Sequence, residues 1–217
     1  MRGKFFKRFF AKQNSFAGYQ LCTLPRGAAY FELSAQEAKD NFDRFVHMIP
    51  ERINYLTTRC AGDLRIPAQT LDMSPESLVL VWRWFLQNAC VVDIEEHELT
   101  EMQKHFGHLG ASFIGEKRLS AVTEFVLQDI GMYLGETFVR NCAPIHWELC
   151  TKPKKSVFIN RPVLAGFVDN SYTPPFRDIF EPAHMASVQA AKLLSGADAR
   201  AEDLYHVYMK WEKYAHG

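Results

Sequence analysis

The chain has 217 residues, 47% of them apolar and 13% aromatic, enough to bury a sizeable core within one domain. Its 25 lysines and arginines balance 25 aspartates and glutamates, so no net field draws in nucleic acid or an anionic membrane. The longest apolar runs, such as Leu78 to Trp82, fall far short of the roughly 20 residues that span a bilayer, so no transmembrane segment is expected.

Residues 1 to 12 form a separate basic aromatic segment, with five basic residues, four phenylalanines and no acid. As a helix it would be a short cationic amphipath for weak contact with a membrane surface or a partner's groove; otherwise its phenylalanines fold back onto the domain. Basic residues interrupt the aromatics too often for a signal-peptide core, which points to a cytoplasmic protein. Residues 13 to 217 read as a single α+β domain. The five cysteines are odd in number and lack a C-x-x-C pair, which favours reduced, mostly buried thiols over disulfides or a zinc knuckle.

After Pro25 and Gly27, the run Ala29 to Leu33 suggests a short strand. Ser34 and Glu37 have capping-box spacing, predicting a helix over 35 to 48. Pro50 suits the first turn of a second helix carrying Ile53, Leu56 and Cys60 and closed by Gly62. Ser74, Pro75 and Glu76 predict a third helix running to Ala89. Helical spacing keeps Trp82 and Trp84 off a common face, so one of them is expected to be exposed or to meet a second element. Residues 90 to 118 read as a short helix over 95 to 106 and then a loop.

From Leu119 to Asn141, Leu119, Val122, Val126, Ile130, Leu134 and Phe138 recur at three- and four-residue steps, the stripe of a central helix. Gly131 and Gly135 beside that stripe cost helix propensity, which implies close approach by another backbone. The period then changes to two, with Ile145, Trp147 and Leu149 facing one way and His146, Glu148 and Cys150 the other. A Lys-rich turn leads to Val157 to Ile159 and then Val163 to Val168, together suggesting about three antiparallel strands against the long helix. A loop through Pro174 and Pro175 returns the chain to helices, one from Pro182 to Gly196 and one over 201 to 214. The fold class is therefore α+β, mainly helical, around a small antiparallel sheet.

No word of covalent or phosphate chemistry is present, and the sequence calls for no cofactor, metal or catalytic residue. His105 and His108 form H-x-x-H near His97, but the spacing of a zinc-protease helix is absent, and a solvated acidic helix accounts for the same residues. Glu136 is a general base if a cleft buries it near His146, or else a surface partner of Arg140 at i, i+4, with Asp129 serving the same face.

The words Ser74 to Leu78 with Trp82, Tyr133-Leu134-Gly135-Glu136, Trp147, Arg161 to Gly166 and Tyr208-x-x-Trp211 occur in an order that resembles a loose group of bacterial α+β proteins. Some of these act as immunity proteins against polymorphic or contact-delivered toxins. The resemblance covers residues 70 to 214 and brings no family active site with it. It implies a non-catalytic cytoplasmic protein that neutralises a cognate toxin by protein contact. Candidate contact residues are Glu136, Arg140, His146, Glu148, Lys152, Lys154 and Lys155. The alternatives are a small hydrolase using Glu136 with nearby histidines, and a peripheral membrane adaptor docking through residues 1 to 12.

Overall fold

The computed structural model describes residues 16–98, 100 and 115–215, except 23 and 26. Helix α1 spans Ala35–Leu64 and starts at the expected capping box: the Ser34 side chain accepts from the Glu37 N–H, and Glu37 accepts from the Ser34 N–H. It is one helix where two were expected to meet at Pro50. The proline removes a hydrogen bond to the Val46 carbonyl, but Val46 and Pro50 both lie on the exposed side, where water can serve that carbonyl. On the inner side Phe45, Ile49, Ile53, Leu56 and Cys60 bury one stripe that runs past the proline. The helix ends at Arg65 in the left-handed region rather than at Gly62. Before α1, the expected strand at Ala29 to Leu33 is a 3-10 helix, Gly27–Glu32. The carbonyls of its Tyr30 and of Leu33, just after it, accept from the Asn160 side chain.

Helix α2, Ser77–Asn88, follows the predicted start signal after one turn. Both of its tryptophans are buried. Trp84 lies under the segment 16–24, edge to face with Phe16 at 5.2 Å, and its indole donates to Asp63. Trp82 stacks on Phe85. The second-element alternative therefore holds for Trp84.

A two-stranded ribbon, β1 (Val91–Asp93) with β2 (Lys117–Leu119), corrects the reading of 90 to 118 as helix and loop. Three residues per strand are too few for alternation to show, and the partners lie far apart in sequence. Residues 96–98 and 100 are helical as expected. The rest of that predicted helix, with His105 and His108, falls outside the described residues, as do residues 1 to 12.

Helix α3, Ala121–Asn141, is the expected central helix, capped by Ser120 and buried on nearly all sides from Val126 to Phe138. Three strands pack near its second half: β3 (His146–Leu149), β4 (Pro162–Asp169) and β5 (Phe176–Phe180), antiparallel in the order β3-β4-β5. The strand count is as expected, but the membership is not. Val157 to Ile159 is a turn, and the third strand comes from the stretch read as a loop. That stretch hides its strand because Phe176, Arg177 and Asp178 are all exposed, leaving no alternation to read. Gly166 (φ +108°) lies in the bulge of β4, against the Pro144 carbonyl.

Helix α4, Pro182–Ala190, continues through a short break into α5, Lys192–Ser195, which ends at Gly196; α6, Asp203–Glu212, closes the chain. Phe138, Phe167, Phe180, Tyr208 and Trp211 form an aromatic knot joining α3, the sheet and α6, with Phe138 and Tyr208 stacked at 4.4 Å. Each such buried ring contributes about 1.5–3 kcal/mol. Helices α1 to α6 and both sheets contribute to this apolar core. Among the described residues no helix is long and apolar enough to cross a membrane.

Candidate functional site

The residues singled out in the sequence divide around β3. His146 and Glu148 are exposed on its outer face, with His146 Nε2 3.7 Å from Glu148 Oε2. Lys152, Lys154 and Lys155 are exposed on the turn that follows. Trp147 points the other way, against α3, where Gly135 leaves room for its indole and Phe45 meets it edge to face at 4.8 Å. The Trp147 indole donates to Glu136 Oε1 at 2.8 Å. Glu136 is therefore held by Trp147 and not by an ion pair with Arg140, although both residues line a hollow of about 270 Å³ beside Pro50. Strand alternation sends His146 away from this face, so Glu136 and His146 do not form the acid-base pair of the hydrolase alternative. All five cysteines are free, and burial with the nearby Asp63 charge pushes the Cys60 thiol up to about 12.

Asp129 corrects a second expectation. Instead of serving an exposed helix face, it is fully buried and receives Arg52 from α1 in a two-pronged pair, Nε to Oδ1 at 3.0 Å and Nη2 to Oδ2 at 2.6 Å. The Tyr19 hydroxyl donates to the same carboxylate at 2.7 Å, and Arg52 also donates to the Gln20 carbonyl at 2.6 Å. Burial raises the Asp129 pKa, opposed by Arg52 and Tyr19. The cluster joins α1, α3 and the segment around residues 19 and 20.

A cleft of about 440 Å³ opens between α3, α4 and the start of β4, with Phe45 of α1 on one wall. Its apolar lining includes Leu24, Phe45, Leu127, Met132 and Trp147, and its polar lining includes Tyr30, Glu124, Gln128, Arg161, Glu181 and His184. This size falls within the ordinary range of small-molecule sites. The floor is tight: a Cβ on Gly131 would sit 2.6 Å from the Ala183 backbone, so α4 rides directly on α3 there. Glu181 caps α4, accepting from the His184 N–H at 2.6 Å. Arg161 lies 4.0 Å from the same carboxylate oxygen and 5.5 Å from the Tyr30 ring centroid.

Burial raises the Glu181 carboxyl to about 7, against the lowering effect of the helix N–H groups and Arg161. A carboxyl there exchanges its proton near neutrality, a property common in binding and catalytic clefts. Burial and Arg161 hold His184 below the usual histidine range. Among the described residues no group of three or more metal-type ligands is assembled.

Sequence reasoning missed this cleft. Glu181 precedes Pro182 as a capping residue does, and Arg161 marks the start of β4, but nothing in their spacing joins them across the fold. Comparison with protein-family models, with curated proteins and with solved structures gives no match for this chain.

Proposed function

We propose that the protein acts by binding, neutralising a cognate bacterial toxin in the cytoplasm through the outer face of β3 and the turn after it. The observation that carries this reading is the continuity of that surface: His146 and Glu148 are exposed on an edge strand that runs directly into the exposed Lys152, Lys154 and Lys155. The strand is held by pairing to β4 and by Trp147 locked onto α3, so little ordering entropy is lost on docking. Three lysines on a firm support suit an acidic partner, speeding encounter and fixing orientation. Such a surface neutralises a toxin by covering its active site. Arg140 is exposed at the end of α3 beside the hollow near Pro50, and Glu136 is engaged by Trp147, so these two stand apart from the proposed surface.

The test is affinity purification of the tagged protein from its own cells, followed by calorimetry with the purified partner. A single stoichiometric toxin domain whose affinity falls at least tenfold with Lys152→Glu, Lys154→Glu and Lys155→Glu combined supports the reading. A partner with unchanged affinity for that variant and for His146→Ala with Glu148→Ala removes the surface, and a monomer without any partner removes the function.

A further inference from the structure

We infer that the hollow beside Pro50 is a binding site for a small zwitterion, an ammonium and a carboxylate on one carbon that also carries a short apolar side chain. The hollow measures about 270 Å³ and is formed by α1, the second half of α3 and the residues leading to α2. The inference is independent of the toxin reading, because neither charged group that lines the hollow belongs to the surface proposed there.

The lining holds one charge of each sign, and the fold keeps the two apart. Glu136 and Arg140 have the spacing of a helical ion pair on α3, yet no such pair joins them. The Trp147 indole takes Glu136 Oε1 at 2.8 Å and so anchors the carboxylate, while Oε2 has no hydrogen-bond partner among the described residues. Arg140, exposed in the last turn of the helix, has none there either. An anchored carboxylate and an unengaged guanidinium in one hollow suit the two ends of one guest. The carboxylate accepts from an ammonium, and the planar guanidinium donates to a carboxylate through two parallel N–H···O bonds. A guest with a single charge leaves one of the two groups unmatched. Direct closure of Glu136 onto Arg140 competes weakly, since an exposed pair of that kind gains little in water.

The remaining polar lining fits the same guest. The Thr57 hydroxyl donates to the Ile53 carbonyl, which leaves its oxygen to accept from an ammonium, and the Asn54 amide serves either charge. The apolar lining is Ile49 and Ile53 from the buried stripe of α1, with Leu71 and Met73 from the chain before α2. Met73 is clamped onto α3: its N–H donates to the Tyr133 hydroxyl at 3.0 Å and its carbonyl accepts from the Asn141 side chain at 2.9 Å. These bonds hold it at φ +61°, a conformation that side chains other than glycine's rarely adopt, and such strain gathers at ligand clamps. The volume lies just under the range of drug-sized sites, about 300–1,000 Å³, and so limits the guest to the size of an amino acid.

The experiment titrates the full chain at pH 7 with leucine, 3-methylbutylammonium and 4-methylpentanoate, which share one apolar body and carry both charges, the positive one or the negative one, using calorimetry and tryptophan fluorescence. Expected is binding of leucine, with each singly charged compound weaker by about tenfold or more, the loss of one charge-assisted contact. Glu136→Gln keeps an oxygen for the Trp147 indole and removes the charge; Arg140→Gln changes an exposed side chain that packs on nothing in the core. Each is expected to weaken leucine binding by about tenfold while the variant's unfolding curve stays that of the parent. Binding of either singly charged compound as tight as that of leucine, leucine binding that either replacement leaves unmoved, or no binding by any of the three overturns the inference.

Discussion

Two guanidinium-carboxylate pairs among the described residues are built to opposite ends. Arg52 and Asp129 meet through two short hydrogen bonds with side chains 5% and 0% exposed, and Tyr19 closes the carboxylate from the third side. Arg161 and Glu181 stand 4.0 Å apart at a cleft, with side chains 17% and 10% exposed. The first pair is closed by hydrogen bonds within the protein. The second keeps a cleft beside it, and its carboxyl stays near the point of ionisation. The same two chemical groups thus serve as a fastening in one place and as an adjustable wall in another, and packing makes the difference.

The largest test of that contrast is Asp129→Asn, which leaves the Arg52 charge buried without a counter-charge. We expect a loss of about 3–5 kcal/mol in urea unfolding. A double replacement, Arg52→Met with Asp129→Leu, removes both charges together and is expected to recover much of that loss. A single-variant loss below about 1 kcal/mol, or no coupling in the double, would show that the pair is not a fastening.

At Glu181 the expected effect is smaller and depends on pH. The folded carboxyl holds its proton up to about 7, while the unfolded one loses it near 4.5, so the folded state binds more protons between those values. Stability therefore falls as pH rises through that window and levels off above it, by on the order of 3 kcal/mol for this group alone. Glu181→Gln lacks that fall and should gain on the parent chain between pH 5 and pH 8. Parallel stability curves for the two proteins would place Glu181 in water.

The smallest comparison uses two tyrosines. Tyr19→Phe removes a hydroxyl bonded to a buried carboxylate and should cost about 2 kcal/mol by thermal or urea unfolding. Tyr30→Phe, whose ring supports Arg161 and whose hydroxyl has no hydrogen bond among the described residues, should stay within about 0.5 kcal/mol. Equal costs would erase the distinction between the two regions.

Features with a strong local cause were legible in the sequence. The capping box at Ser34, the stripe of α3 and the backbone approach behind Gly131 each follow from a few neighbouring residues, whereas Gly135 makes room for the Trp147 side chain and not for the backbone expected there. Features settled by distant packing were not. Pro50 stays inside α1 because the buried stripe on both sides outweighs one lost hydrogen bond. The strand at Phe176 carries no alternation, and β1 finds β2 only after a long excursion of chain. The Arg52 and Asp129 pair did leave a trace: each charge interrupts the apolar stripe of its own helix, and two opposite charges in two buried stripes invite pairing. The cleft left none, since its polar groups come from four separate elements.

The two glycines of α3 have a mechanical consequence. Gly131 seats α4 and Gly135 seats the indole of Trp147, so one helix carries both walls of the cleft on positions that lack a side chain. The span between those walls is thereby gauged by an absence: any methyl added to the beam would jack one wall outward. Rim residues such as Ser187 and Glu124 can be exchanged to retune what the opening admits, while its width stays fixed by the beam beneath.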